Sequence, residues 1–506
     1  MGENHSPTPP VEVSHEKKAN PPLYTWVTWG LFIIGLLSII YYLSWWFFEG
    51  RLRSPFLLFL FVAAFIYLGI QIVCNWVLYL LARHPQPAQS TPEGLTVDVF
   101  ITAYLEPYEM IERTLKAACA LRGQHQTWLL DDGDDPHLAD LAGGLGVSYL
   151  TRSSKEHAKA GNLNAALSKT NGDVVVIFDV DHVPAPDFLE KSLGYFFDPG
   201  LGFVQVMLTF DNMGDSWVAM AAVETSLEYY NPTSLGAYQI GGATLMGSNA
   251  LIRRKALESI GGYQPGLAED LATSIALHAQ GWKSAYVAEP LAPGIAPPSF
   301  AAWFTQQLKW SRGVFELFVT AYPRLFRSLT WGQRLSYAVR MTKYWIGPAI
   351  AVHLFATIII LIYADFQTRA AFHSYLTQIT PLIFCDALLR YVSLRIWRHR
   401  SIRASSLLRA VLLVYSTWPI YLQAWFMALF RLPLTFRPTP KDKSGKLHPA
   451  WLLPQISMVV MLLIGTYYTV RVVGHPPSML LIYAIAQGTL HLVILTRWMY
   501  HDVFGR

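Results

Sequence analysis

Charge is what this sequence has least of. Only 14% of its 506 residues are Asp, Glu, Lys or Arg, while 53% are hydrophobic; soluble domains carry roughly 25% charged residues. The deficit is concentrated in long apolar runs, which points to membrane spans rather than an unusually apolar soluble enzyme. The formal net charge of +5 is too small to suggest nucleic acid as a partner and fits cationic loops beside a membrane. Cysteine is nearly missing. Cys74, Cys119 and Cys385 stand alone, without metal or redox spacing, and two lie in apolar runs, so they read as inert buried thiols in a reducing compartment. No cleavable leader is legible, because residues 1–23 are polar and Pro-rich, too long and too weakly charged to open a signal peptide. They read as a disordered cytoplasmic tail.

What is present begins with the apolar runs. Tyr24–Phe48 and Pro55–Leu81 are each about the 20 residues needed to cross a bilayer, giving two transmembrane helices over 24–82. Trp26, Trp29, Trp45 and Trp46 lie near the ends of the first, where interfacial aromatics belong. Spans resume at Val339–Tyr363 and Phe372–Leu394, within 339–397, and at Leu452–Arg471 and Met479–Arg497, within 449–500. Leu407–Phe430 is also apolar enough to cross. However, Arg395, Arg398, Arg400 and Arg403 precede it and Lys441, Lys443 and Lys446 follow it, and both clusters favour the cytoplasmic face. Pro419 interrupts the run, and Ser416, Thr417 and Gln423 dilute it. It therefore reads as an interfacial helix over 405–431, with another interfacial stretch over 299–335. The expected count is six spans, with both termini and the large domain cytoplasmic. Seven spans would strand the Lys441 region outside.

Between the second and third spans, residues 94–322 change character. Strand-like runs at Thr96–Thr102, Thr127–Leu130, Val147–Leu150, Val174–Phe178 and Phe203–Leu208 alternate with helical patterns at Glu109–Leu121, His157–Leu167 and Pro186–Tyr195. That alternation predicts a doubly wound, mainly parallel α/β sheet, here a nucleotide-binding domain inserted in an α-helical multi-span membrane domain.

The most informative stretch is Phe178-Asp-Val-Asp-His182, an apolar strand ending in Asp179 and Asp181. In open α/β sheets ligands sit beyond the carboxyl ends of the strands. Two acids projected there suit a divalent cation held against a diphosphate; the plainer reading is a solvated strand end. Other strand ends repeat the theme. Tyr104 and Glu106, after the first strand, can stack on and hydrogen-bond a nucleobase. The loop Leu130-Asp-Asp-Gly-Asp-Asp135 is acidic enough to be costly without a cationic or donor partner. In Lys155-Glu-His-Ala-Lys-Ala-Gly-Asn162, Lys159 brings positive charge, and Gly161 and Asn162 fit a close backbone approach to a phosphate at a helix start.

Phe-Asp-Val-Asp-His-Val-Pro at 178–184, His-Ala-Lys-Ala-Gly-Asn at 157–162 and Asp-Asp-Gly at 131–133 resemble the inverting family 2 glycosyltransferases, which are GT-A-like in fold. More closely, they are similar to bacterial cellulose synthase catalytic subunits. The similarity continues in order through Gly247-Ser-Asn, Gly261-Gly-Tyr, Ala268-Glu-Asp270, Gly281-Trp-Lys-Ser, Gln306-Gln-Leu-Lys-Trp310 and Phe436-Arg-Pro-Thr-Pro-Lys441. The last resembles the family's gating loop, placed here over 432–447.

The resemblance implies a processive enzyme that polymerises glucose from UDP-glucose into a β-glucan, β-1,4 favoured, and passes it across the inner membrane. It implies Asp270 as general base beside Glu269, at the start of a helix whose dipole would favour the ionised carboxylate. Asp181 with Asp179 would hold Mg²⁺ or Mn²⁺. Tyr104, Glu106, Asp132 and Lys159 would hold the donor nucleotide, joined by Gln306, Lys309, Thr439 and Lys441. Trp310 would stack on the acceptor sugar, with Met246, Gly247 and Ala268 beside it. Tyr344, Trp345 and Trp418 are candidate tunnel residues. Expected partners are the UDP-sugar, the growing polysaccharide, membrane lipids and accessory export subunits.

Three positions depart from the family pattern. Ala268 replaces a threonine, Lys309 an arginine and Met246 a cysteine, all flanking the acceptor or leaving group. The Lys309 change exchanges a planar fork for a point charge. A β-1,3- or mixed-linkage glucan synthase, or another β-polysaccharide synthase, would share the same core. Transfer of a single sugar to a lipid is a further alternative. About 60 residues follow Lys441, enough for two spans but not for a regulatory PilZ domain, so direct control by cyclic-di-GMP within the chain is not expected.

Overall fold

The computed structural model describes residues 22–48, 54–85, 90–363, 372–402, 407–434, 447–473 and 478–504. Nine strands form in chain order: β1 Val97–Ala103, β2 Gln126–Asp131, β3 Ser148–Thr151, β4 Val174–Asp179, β5 Leu201–Val206, β6 Thr209–Phe210, β7 Ala250–Arg253, β8 Lys283–Val287 and β9 Pro293–Gly294. Seven of them make one sheet, in the order β3-β2-β1-β4-β7-β5-β8, while β6 and β9 pair separately. The first five of these strands match the five expected runs to within a few residues. β7 and β8 were not foreseen, and β7 runs antiparallel to both of its neighbours, β4 and β5.

Alternation in β1 shows why this stretch is a strand with two covered faces. Val97, Val99 and Ile101 join a core with Ile111, Leu115 and Phe178. Phe100 points the other way, into a core with Leu163, Ile177 and Tyr263. Asp98 shares that second side and is buried, so it needs partners. It receives Arg254 at 3.0 Å, Trp128 Nε1 at 3.0 Å and the backbone N–H of Gly172 at 2.7 Å. The Asp98–Arg254 pair ties β1 to the chain just after β7.

Register sets the position of the site. In the parallel pairing of β1 with β4, Thr102 lies opposite Asp179, and in that with β2, Ala103 lies opposite Asp131. Three strands therefore deliver their carboxyl ends to one edge of the sheet.

Among the described residues, five helices are long and apolar enough to cross a membrane: Tyr24–Trp45, Pro55–Leu81, Trp331–Tyr363, Pro449–Val472 and Leu480–Arg497. The expected span over Phe372–Leu394 is a helix, Phe372–Trp397, but it is not one of the five. It carries Asp386 and Arg390, and these are engaged inside the bundle. Asp386 accepts from Trp76 Nε1 at 3.0 Å, and Arg390 pairs with both Asp386 and Glu228. The run at Leu407–Phe430 is two helices, Leu407–Ser416 and Trp418–Leu429, bent by 44° at Thr417. Thr417 accepts from Trp303 Nε1 at 2.9 Å, so the break is fastened to the helix Phe300–Val319. Cys119, expected to be buried, is exposed; Cys74 is half-buried and Cys385 buried.

Candidate active site

One cavity of about 1340 Å³ begins at the strand ends and continues into the helix bundle. Asp179, Asp181, Asp132, Tyr104, Glu106 and Lys159 line it at the sheet edge. Met246, Gly247, Ala268, Glu269, Asp270, Gln306, Lys309 and Trp310 line it next, and residues such as Phe61, Phe65, Tyr344, Ile379 and Tyr483 line its far reaches. Apart from Thr439 and Lys441, which lie outside the described residues, every candidate site residue is brought to this one space. Tyr344 is among the lining residues. Trp345 is not, packing edge-on against Phe315 and Phe318. Trp418 sits within the apolar core of the bundle instead.

Asp179 ends β4 with its side chain 38% exposed. Its Oδ1 accepts from Thr102 Oγ1 at 3.2 Å and pairs with Lys159, whose Nζ also donates to the carbonyl of Gly247 at 2.7 Å. Burial pulls the Lys159 pKa down, but Asp179 and Glu269 outweigh it, so the ammonium is held above its ordinary value. Asp181 is buried and accepts from the backbone N–H of Ile295 at 3.3 Å. No group of three or more His, Cys, Asp or Glu side chains able to hold a metal occurs among the described residues. Two carboxylates on a cavity wall nevertheless fit Mg²⁺ or Mn²⁺, which dehydrate reluctantly and take one or two carboxylates plus substrate phosphates. The site has the donors of a metal that a diphosphate completes rather than those of an all-protein cage.

The acidic loop after β2 finds its cationic and donor partners inside the chain. Arg152 grips Asp132 in a fork, Nε to Oδ1 and Nη2 to Oδ2, each at 2.7 Å. Asp131 accepts from the N–H groups of Gly133 and Asp135 and from the Tyr149 hydroxyl at 2.9 Å. Asp135 caps the helix Pro136–Gly144. Asp132 still faces the cavity, oriented by Arg152. Sequence reading passed over Arg152, although it directly follows β3 and so lies at another strand end on the same edge.

Glu106 folds back to accept the N–H of Tyr104 at 2.5 Å. Burial, then the charges of Asp179 and Asp181, push its carboxyl up to about 7.

Asp270 stands in the first turn of the helix Glu269–Ala279, as expected. The expected dipole effect does not win there. Its Oδ1 accepts the N–H of Leu271 at 2.7 Å, yet burial and the neighbouring Glu269 push the carboxyl up to about 7. Glu269 is raised as well, by burial, with Lys159 and Lys309 opposing. The loop leading into both acids, Leu267 and Ala268, is pressed against the helix Phe300–Val319, which supplies Gln306, Lys309 and Trp310. A Cβ on Gly313 would fall 2.7 Å from the Ala268 nitrogen and 2.9 Å from the Leu267 side chain, so only glycine allows this approach. Arg340, which sequence reading also missed, places Nη2 3.7 Å from Asp270 Oδ2. A cation just inside the expected span Val339–Tyr363, with Lys343 close by, is the signal that could have found it.

Residues 92–313 match the family described as "Glycosyltransferase like family 2", and residues 257–397 match the family described as "Cellulose synthase". The chain is similar to a "Cellulose synthase catalytic subunit [UDP-forming]" of Pseudomonas fluorescens (strain SBW25), 35% identical over 314 residues, 60% of this chain and 42% of that protein. It is also similar to "Cellulose synthase 1" of Komagataeibacter xylinus, 32% identical over 314 residues, 60% of this chain and 20% of that one. The chain thus spans less than half the length of these curated relatives. In fold, it is similar to a mannosyltransferase from Pyrobaculum calidifontis solved with GDP-Man and Mn²⁺, with a TM-score of 0.53 and 16% identity over 74% of this chain and 99% of that one. The architecture is a GT-A-like domain flanked by helices able to span a membrane.

Proposed function

We propose that this chain is an inverting, UDP-sugar-dependent glycosyltransferase that polymerises glucose into a β-glucan, β-1,4 favoured, and feeds the product into its membrane bundle. The observation that carries the reading is the single cavity running from Asp179, Asp181 and Asp270 past Trp310 into the helices. A soluble transferase has no use for a reaction chamber that opens into a membrane domain. A growing polysaccharide does, because bare hydrocarbon would not accept its hydroxyls.

In this reading Tyr104, Glu106 and Asp132 hold the uridine end of the donor, and Lys159 lies close to its phosphates. Asp181 and Asp179 hold the divalent cation, which when bound neutralises charge on the departing diphosphate. Trp310 presents a flat apolar face to the terminal acceptor sugar, with Met246, Gly247 and Ala268 around it. Asp270 takes the proton from the acceptor hydroxyl as its oxygen attacks the anomeric carbon. The bond from that carbon to UDP breaks on the opposite face, so configuration inverts and UDP leaves. Gln306 and Lys309 support the leaving diphosphate, and Thr439 and Lys441 close over it. The domain limits set out from the sequence, the inner-membrane location, the cytoplasmic side of the catalytic domain and accessory export subunits belong to the same proposal.

The replacements at Met246, Ala268 and Lys309 favour keeping a β-1,3- or mixed-linkage product as a second reading. Purified chain in lipid with labelled UDP-glucose and Mg²⁺ or Mn²⁺ is expected to make long polymer cut by a β-1,4-glucanase. Resistance to that enzyme would exclude cellulose, and only short glycolipid products would exclude processivity. EDTA is expected to stop transfer and added Mg²⁺ or Mn²⁺ to restore it; full activity in EDTA would remove the metal from the proposal.

A further inference from the structure

Arg340 takes part in none of the steps above, yet its place is specific. It stands on the helix Trp331–Thr342, which continues through a tight turn into Ile346–Tyr363, so it belongs to a membrane-spanning element. Its guanidinium donates to the Tyr229 hydroxyl, to Thr244 Oγ1 and, at 3.5 Å, to the carbonyl of Leu245. Its Cζ lies 5.2 Å from the centre of the Tyr229 ring. Every one of these partners is neutral. Among the described residues, the carboxylate within ion-pair reach is that of Asp270, at 3.7 Å from Nη2 to Oδ2.

The two oxygens of Asp270 are thereby distinguished. Oδ1 is spent on the N–H of Leu271 at 2.7 Å. Oδ2 faces Arg340 across a gap too long for a hydrogen bond but within ion-pair range. We propose that Arg340 is a positioning residue for the reaction: clamped by Thr244, Tyr229 and Leu245, it holds Oδ2 of Asp270 as the oxygen offered to the acceptor hydroxyl. The inference rests on Asp270 being the general base. It makes the base depend on a membrane span, and that span is itself gripped by Tyr67, whose hydroxyl donates to the Thr342 carbonyl at 2.9 Å.

The direction of the effect follows from the charges around Asp270. Glu269 beside it opposes ionisation, and Lys159 from the helix Ala158–Leu167 favours it. Tyr230, Tyr337 and Tyr344 are also near enough to feel its charge. Deleting a cation 3.7 Å away removes a favourable charge, so the carboxyl should titrate at higher pH.

The test uses the full chain in lipid nanodiscs, with polymer synthesis from UDP-glucose measured between pH 5.5 and 9 and UDP binding measured separately. Arg340→Gln is expected to lower kcat about tenfold and to move the acid limb of the rate profile up by about one pH unit, with UDP affinity within about twofold of wild type. Arg340→Lys should return most of the acid limb but not the full kcat, because the charge is kept and the fork is lost. Thr244→Val loosens the clamp without removing the cation and should lower kcat several-fold. A wild-type acid limb and kcat in Arg340→Gln would overturn the inference. If that variant loses UDP binding and so its fold, a wild-type kcat in Thr244→Val would overturn it equally. Asp270→Asn separates the two levels: continued synthesis would defeat the base assignment itself, while an inactive Asp270→Asn with an unshifted Arg340→Gln defeats only the role of Arg340.

Discussion

Consider Asp270→Asn as a stability experiment as well as a kinetic one. The Asp270 side chain is 18% exposed, but that surface faces the cavity rather than bulk water. Burial and Glu269 lift its carboxyl from an ordinary 3.8 to about 7. Between those values the folded chain keeps a proton that the unfolded chain has released. Stability therefore falls as pH rises through this window, and above about 7 the fold carries the full cost of a buried carboxylate. A displacement of this size corresponds to roughly 4 kcal/mol. Glu269 shares the site and Lys159 opposes the shift, so the realised gain should be smaller, about 1–3 kcal/mol. Asn has nearly the same shape and can still accept the Leu271 N–H. At pH 8 the variant should unfold at a higher temperature than wild type, by a margin that narrows at pH 5 and closes only below the ordinary carboxyl value of 3.8. Turnover should move the other way, from an acid limb near pH 7 in wild type to no detectable synthesis in the variant. The assay is thermal unfolding in lipid–detergent micelles at both pH values, with polymer synthesis followed in parallel. An equal shift at pH 5 and pH 8, or none at either, would refute the claim that burial holds this carboxyl protonated. Retained synthesis would remove it as the base.

Two further substitutions probe the frame around the site. Arg152→Ala strips the fork from a buried carboxylate, Asp132, and should destabilise the fold by about 3 kcal/mol; calorimetry should also show weaker UDP binding, and unchanged stability would mean that Asp132 has another partner. Gly313→Ala drives a methyl group into the loop before Asp270, with an overpacking cost of about 1–3 kcal/mol. Because that loop leads into the helix turn that carries the base and not into the uridine contacts, polymer synthesis should fall while UDP affinity holds, a split visible in parallel rate and binding measurements.

Much of the site was legible because its residues sit at the ends of strands. A strand announces itself by a short apolar run, and Asp179, Asp181, Tyr104 and Asp132 follow such runs directly. The helix beginning at Glu269 was legible only through the family resemblance of Ala268-Glu-Asp270. β7 was not, since Ala250–Arg253 is only four residues long and sits directly behind Gly247-Ser-Asn, with no alternation to mark it. The helix Phe372–Trp397 reads as a span by its apolar content, but Asp386 and Arg390 inside it are settled by Trp76 and Glu228, partners that no sequence window contains.

The sequence by itself determined the kind of chemistry and the kind of container: acids at strand ends in a fixed order, and apolar runs before and after them. Both are carried by neighbouring residues, so they can be read without knowing what packs where. Tertiary structure decided the rest. It paired Asp132 with Arg152 and set Arg340 before Asp270. It also reversed the expected ionisation of Asp270, because a helix dipole acts over one turn while burial depends on everything packed around it. And it joined the acids at the sheet edge to the membrane helices through one cavity, a property of the folded chain that no single stretch of it contains.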